Sequence, residues 1–568
     1  MKKIILFALI SICSANVWAQ TNINLKAIKT FDSSIKESIY VHINNSTVLV
    51  GESIFYKLYC LNSSNQNFSS ISKIAYVEII DESGNSISKQ KLLLKEGLAQ
   101  GDVFIPTSIN SGAYKLVGYT NWMVNYEKSN RFEADITIIN PFQSKVVIPE
   151  FTSTINSKID NLDIQIKLDK KKYNNREKVK LNINSRLKNI NDGKYSLSVR
   201  RLNDSIEGKV VTTTEFLSNL KKTSIFNRSI NNLPELRGET VSGKLIALDG
   251  ISSINNKPIS LSIPGKSFTF KIVNTNTNGE FIFILDELPS NTNTILQVID
   301  DNRKAYKIEL THQLFDFSNL EFQPTKEISN ELKKIIEKRS IANQIENAYF
   351  SIKKDTIKDQ LINKAFYAPL EKTIFLDDYT RFSSLKETIT EILPNTFFKE
   401  KDGIYTINLR DKVSNGVDSG YTLVMVDGLL IQNVKELFEY NTKNIDKVEY
   451  ITEKYVYGPK IFNGIINFIT KEFNYELKES GDYILKTQLQ RPLTKKYYYN
   501  QDYSDPSKYE RIPDYRYQLL WNPDLIIENE KTISFYTSDI KGQFEISIEG
   551  FTSDGKPISI KEYFEVVD

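Results

Sequence analysis

Histidine and cysteine are scarce in this chain, with two of each in 568 residues. His42 and His312 fall in different predicted units, so a histidine-rich metal cluster is excluded. Neither a Ser-His-Asp nor a Cys-His arrangement finds support. No metal and no organic cofactor is expected, and no catalytic, cofactor-binding or metal-ligating residue is assigned. Cys60 is the one cysteine expected in the mature chain, which excludes an internal disulfide. It lies in the strand-like run Phe55-Tyr56-Lys57-Leu58-Tyr59-Cys60-Leu61 and reads as a buried structural thiol. A surplus of one charge is also missing. Lysine and arginine number 73 against 70 aspartate and glutamate, and a formal charge of +3 gives no footprint for nucleic acid. After the N-terminal stretch no apolar run reaches the length of a membrane helix. The irregular and helical middle, with the polar end Glu562 to Asp568, argues against a large transmembrane barrel.

What is present begins with an export signal. Lys2 and Lys3 precede the apolar run Ile4 to Ile12, and Val17 and Ala19 sit where a signal peptidase inspects small residues. Residues 1–20 are therefore read as a signal peptide cleaved after Ala19 or Gln20. Cys13 lies inside the apolar run with Ile12 before it, where an acylated lipoprotein cysteine would follow a small residue, so lipidation is the lesser reading. The chain is expected to be exported, either periplasmic or associated with the outer membrane.

The rest is mainly β. Residues 37–140 read as one sandwich, with strands at Ile74 to Ile80 and Tyr114 to Val117 and with Trp122 as a core or inter-domain residue. Residues 150–230 read as a second sandwich. Leu162, Ile164, Ile166 and Leu168, then Val179, Leu181 and Ile183, then Tyr195, Leu197 and Val199 alternate with period two, so one face of each strand is buried. A third covers 236–315, with Asn278-Gly279 as a hairpin signal. Ile328, Leu332, Ile335 and Ile336 share a helical face that Ile341, Ile345 and Tyr349 extend, giving a helical connector over 324–380. Residues 381–475 mix helices and strands in a small α+β unit. Residues 476–568 read as a C-terminal β domain, with Phe544, Ile546 and Ile548 alternating and Asp554-Gly555 as its last hairpin.

The first unit resembles the macroglobulin-type β-sandwich. The residues that carry this are Gly51-Glu52, the turn region Gly101 to Pro106, Ser111-Gly112-Ala113-Tyr114 and Thr120-Asn121-Trp122-Met123, the last resembling envelope proteins of the Bacteroidota. The second unit is similar to a following macroglobulin- or immunoglobulin-like domain. The mixed unit resembles the plug domain of TonB-dependent receptors through Val424-Met425-Val426-Asp427-Gly428, Ile445 to Glu449, Tyr457-Gly458 and Asn463 to Thr470. A receptor's plug precedes a long barrel. Here residues 476–568 follow it and read as one more soluble β unit, so the resemblance implies a plug-like module without the receptor barrel. Thioester macroglobulins carry a reactive cysteine beside Gly-Glu-Gln, which Cys60 lacks.

Other conspicuous residues have bland readings. Asp427 before Gly428 is a turn carboxylate, Asp300-Asp301-Asn302 a solvated turn without EF-hand spacing, and Lys171-Lys172 and Lys353-Lys354 wet faces. Tyr497-Tyr498-Tyr499 beside Lys495-Lys496 is either an interface or strand packing. The function expected is a non-enzymatic envelope scaffold that binds an outer-membrane or periplasmic protein, with an outer-membrane transport or assembly complex as its setting. The alternative is an exported carbohydrate-binding or carboxylate-dependent glycan-active protein, marked by an exposed aromatic row or by two carboxylates about 5–9 Å apart.

Overall fold

The computed structural model describes residues 36–567 except 126–130, 151–162, 187–189, 203–205, 221–231, 287–290, 312–314, 358–362, 411–420, 506 and 508. Residues 1–35, with the expected leader and Cys13, lie outside the described residues, as do Leu162 and His312. Among those described, the chain forms two compact units. The larger takes residues 36–236, 315–359 and 492–567, and the smaller takes 237–314 and 360–491. The architecture is mainly β, with several sandwich-like sheets and few helices.

In the larger unit, a first sandwich has a three-stranded sheet of Glu37–Ile43, Ser53–Asn62 and Leu98–Phe104. Facing it is a five-stranded sheet in the order Thr47–Leu49, Phe132–Ile139, Gly112–Tyr119, Ile74–Ile80, Ser86–Leu93. Ile39, Val41, Leu58, Ile79, Leu116 and Ile136 fill the core between them. Every residue of Glu37–Ile43 is buried, because the face that points away from this core is covered as well.

The second sandwich corrects an expected boundary. One sheet joins Ile164–Leu168 and Lys178–Ser185 to Glu530–Tyr536. The other runs Lys172–Tyr173, Pro557–Val566, Gly542–Phe551, Lys194–Arg201, Gln518–Leu525. The segments read as separate units, 150–230 and 476–568, thus contribute strands to the same two sheets. Val179, Leu181, Leu197 and Val199 share one core with Phe544, Ile546, Ile548 and Ile560. Period-two alternation tells which face of a strand is buried but not which strand lies beside it.

The helix expected after residue 324 is Asn330–Ala348, with the Ser329 side chain accepting from Leu332 N at its start. It does not bury the whole apolar stripe. Ile336 is buried with Arg339, Ser340 and Ala342, while Ile335 and Ile341 are exposed. It is docked on the first sandwich through Arg339, which donates to both carboxylate oxygens of Glu52 at 2.7 and 2.6 Å.

In the smaller unit a sheet of Glu280–Leu285, Glu239–Ala247 and Tyr306–Leu310 faces one of Thr269–Asn274, Pro258–Ile263, Asn293–Val298 and Ile484–Gln488. Asn278-Gly279 does form a tight turn, with Gly279 at φ +78°. It connects strands of opposite sheets and does not close a hairpin ladder. The mixed sheet has the order Lys372–Phe375, Ile445–Tyr457, Lys460–Thr470, Leu423–Val426, Leu429–Leu430. Its first strand lies inside the stretch expected to be a helical connector. Both faces of this sheet are covered. Val424, Val426, Val448, Ile466 and Phe468 join the core of the neighbouring sandwich, while Leu423, Met425, Ile451 and Ile465 pack with Phe268, Phe270 and Tyr367.

Candidate interaction surface

The arrangement most suggestive of chemistry lies inside the larger unit. Nδ1 of His42 is 2.7 Å from Ser196 Oγ, and Tyr59 OH is 2.9 Å from the same hydroxyl. His42 comes from the outer face of the first sandwich and Ser196 from the second, each placed by strand alternation. The Glu549 backbone carbonyl closes the cluster, accepting from Ser196 Oγ and Tyr59 OH at 3.2 Å each, and its carboxylate lies beside it. The carboxylate accepts from Thr213 N at 2.8 Å and Ser559 Oγ at 2.7 Å. His42, Ser196, Tyr59 and Glu549 are all buried to within 1% of full exclusion from solvent. Burial holds the His42 ring neutral by lowering its pKa to about 3, and raises the Glu549 carboxyl to about 7. This deeply buried histidine–serine contact is a joint between two sandwiches. The sequence showed no sign of it, because its members are separated by more than 150 residues.

The residues singled out earlier are mostly structural. Asp427, at φ +50°, accepts from Thr470 N and Thr470 Oγ1 at 2.7 Å each and ties the turn to the adjacent strand. Gly428 follows at φ +83°, and a Cβ there would lie 2.1 Å from the ring of Phe268. Asp300 accepts from Asn302 N and pairs with Lys257 at 2.7 Å. Cys60 is fully buried, and burial pushes its thiol pKa up. Trp122 is fully buried. Lys171 and Lys172 are exposed and pair with Glu562 and Glu565. Lys353 overturns its reading as a wet residue. It is buried, and its ammonium donates to both oxygens of Glu346 and to Pro513 O. Tyr498 packs edge-on against Phe55 at 5.2 Å, while Tyr497 pairs through its backbone with Thr356 and keeps its side chain exposed, so the tyrosine run is packed in part and open in part. Among the described residues no group of three His, Cys, Asp or Glu side chains could hold a metal ion. Phe104, Phe142, Phe350 and Tyr421 are exposed and lie on separate segments of the chain.

The mixed sheet of the smaller unit offers a different feature. A sheet edge presents unpaired backbone groups, and each edge needs a solution. At Leu429–Leu430 the solution is built in: Leu430 N donates to Ser262 Oγ, and Gln297 Nε2 donates to Leu430 O at 2.8 Å. At the opposite edge Lys372–Phe375 pairs only with Ile445–Tyr457, and among the described residues no strand covers its other side. Ile374 points into the core, whereas Phe375 is 50% exposed and Leu370, just before the strand, 65% exposed. Lys447 lies 5.9 Å from the Phe375 ring. One edge of this sheet is sealed by side chains, and the other, among the described residues, has no strand beside it and exposes Lys372 and Thr373 along with Phe375. The sequence reading missed this strand, since four residues are too few to show a period.

No family model matches the chain, and no curated protein matches it. Solved structures do. Salmonella alpha-2-macroglobulin reacted with methylamine aligns over 96% of this chain and 40% of its own at 10% identity, with a TM-score of 0.23. Escherichia coli alpha-2-macroglobulin activated by porcine elastase aligns over 94% of this chain and 44% of its own at 10% identity and a TM-score of 0.24. Dimeric latent PorU from Porphyromonas gingivalis aligns over 49% and 33% at 9% identity and a TM-score of 0.14. The chain thus spans about two fifths of the length of the macroglobulins it matches.

Proposed function

We propose that this chain is an exported, non-enzymatic scaffold of the bacterial cell envelope, periplasmic or associated with the outer membrane. In this reading it captures an extended segment of another envelope protein on the open edge at Lys372–Phe375. The observation that carries the reading is the asymmetry of the mixed sheet, sealed at Leu430 and open at Phe375. Strand addition supplies affinity through main-chain hydrogen bonds and specificity through alternate side chains, here beside Leu370 and Phe375. The Val424 to Gly428 strand and turn, paired with Ile465 to Phe468, support reading this part as a plug-like module that serves as a docking unit. Export rests on Lys2, Lys3 and the apolar run that follows them.

The test is site-specific photo-crosslinking in cells, with a photoreactive residue at Phe375 and a control at Ile251, which is 90% exposed. One envelope protein should crosslink from position 375 and not from 251. A synthetic strand from that protein should then bind the mature chain and lose at least tenfold in affinity on Phe375→Asp. Identical adducts from both positions, or none from either, refute the docking edge. A mature N-terminus other than residue 20 or 21 refutes the assigned cleavage.

A further inference from the structure

A second surface of the smaller unit carries its own chemistry. Strands Thr396–Lys401 and Ile404–Leu409 form a hairpin closed by Asp402 and Gly403, at φ +53° and +75°. Two consecutive positive φ values are those of the tight turn that Asp-Gly favours. Directly opposed residues share a face. Phe398 and Ile407 therefore point the same way, as do Glu400 and Tyr405. This inward face joins the core, with Ile407 and Leu409 buried and Phe398 and Tyr405 packed against Phe438 at 5.4 and 4.9 Å.

The outward face holds the pairs Phe397–Asn408, Lys399–Thr406 and Lys401–Ile404, and Arg410 continues it. It carries three cations and no carboxylate, since Glu400, also exposed, lies on the opposite face and Asp402 sits in the turn. Arg410 and Lys399 lie 5.3 and 5.5 Å from the same Phe397 ring. All three cations are exposed, and none is in an ion pair among the described residues. Ile404, beside the turn, is 69% exposed. The sheet pattern has thus sorted positive charge and an apolar tip onto one side of a projecting hairpin.

We propose that this outward face is a contact surface for anionic phospholipid, with Lys399, Lys401 and Arg410 on headgroup phosphates and Ile404 entering the boundary with the acyl chains. Charge complementarity selects an anionic occupant, and size selects a lipid surface over an acidic protein. Two six-residue strands present roughly 200 Å². A specific protein interface takes about 800 Å² from each partner. Attraction to an anionic bilayer needs no minimum patch, because each cation contributes separately, at about 1 kcal/mol near the surface. A projecting tip with an exposed isoleucine also needs a matching hollow in a protein but not in a bilayer. Three cations give a weak, reversible contact that salt weakens further.

The test uses the whole mature chain and vesicles of phosphatidylcholine, alone or mixed with phosphatidylglycerol. The protein should sediment with the mixed vesicles at low salt and not with phosphatidylcholine alone. The triple variant Lys399→Gln, Lys401→Gln, Arg410→Gln should lose about a hundredfold in partitioning, at roughly fivefold per charge. These side chains are exposed, so an unchanged melting curve is the folding control. The emission of Ile404→Trp should shift to the blue on mixed vesicles only. Phe375→Ser should leave vesicle binding intact, which separates this face from the docking edge. Absence of binding to mixed vesicles, or equal binding by the triple variant, overturns the proposal. Capture of poly-glutamate without vesicle binding also overturns it, in favour of an acidic peptide.

Discussion

His42 and Ser196 meet at 2.7 Å across the joint between the two sandwiches of the larger unit, beside buried Glu549, whose backbone carbonyl accepts from Ser196 Oγ and whose carboxylate accepts from Thr213. The two titratable groups work against each other. His42 has a folded pKa of about 3 against 6.5, so its contribution to stability is complete above 6.5 and is lost as pH falls toward 3. Glu549 has a folded pKa of about 7 against 4.5, so its contribution is complete below 4.5 and is lost as pH rises through 7. Between pH 4.5 and 6.5 their slopes oppose and the joint is nearly insensitive to pH. Glu549→Gln removes one slope. Relative to the parent chain, the variant should gain about 3 kcal/mol between pH 4.5 and 8, read from urea midpoints of the larger unit. A difference that stays constant over this range refutes the assignment.

Arg339 and Glu52 form the second joint, between the long helix and the first sandwich. Arg339 is 3% exposed, and its guanidinium lies 5.5 Å from the Tyr517 ring. Removing one partner of a buried pair leaves an uncompensated charge. Arg339→Leu should cost about 3–5 kcal/mol, and adding Glu52→Gln should recover much of the loss. Hydrogen exchange over Asn330–Ala348 checks this. Faster exchange in the single variant that slows again in the double is the expected pattern.

Gly428 sits at φ +83° against Phe268. Gly428→Ala adds left-handed strain and forces the ring to move, so the smaller unit should lose about 2–4 kcal/mol. Gly250 is a fair control, because it also has positive φ but has nothing near its Cβ position. Gly250→Ala should cost only about 1 kcal/mol, the strain by itself. Equal losses at both sites would show that the Phe268 contact contributes nothing. Thermal melts of the two variants decide between these outcomes.

Lys353 gives a fourth expectation. Its ammonium holds Glu346, at the end of the long helix, beside Pro513 and Asp514. Lys353→Met should raise protease cleavage near 513 by about tenfold or more, whereas exposed Lys171→Met should not. Cleavage that is unchanged by Lys353→Met would remove Lys353 from the network.

These residues show where a sequence is readable. Phe544, Ile546 and Ile548 alternate and all point into one core, and Asp554-Gly555 closes the hairpin its turn chemistry implies. Asp427 is the turn carboxylate its position before Gly428 suggests. What the sequence does not encode locally is partnership. Leu197 alternates as cleanly as Ile548, yet nothing in either segment states that the two strands are neighbours. Lys353 and Lys171 look alike in sequence, and only the carboxylates brought to Lys353 by folding separate them. The open edge at Lys372–Phe375 was invisible because an edge is defined by what is not beside it.

The interleaved sheet of the second sandwich has a consequence for how the chain is made. Lys194–Arg201 lies between Gly542–Phe551 and Gln518–Leu525, and Tyr173 pairs with Val566 near the C-terminus. On the order of 300 residues must be synthesised between these partners, which takes roughly 15–60 s at about 5–20 residues per second. During that delay the early strands have apolar faces and unpaired backbone edges with no neighbour to receive them. They would need a holding chaperone, or export ahead of folding, to avoid pairing with one another. A nascent chain halted before Gln518 should therefore be degraded or aggregate, however intact its first strands are.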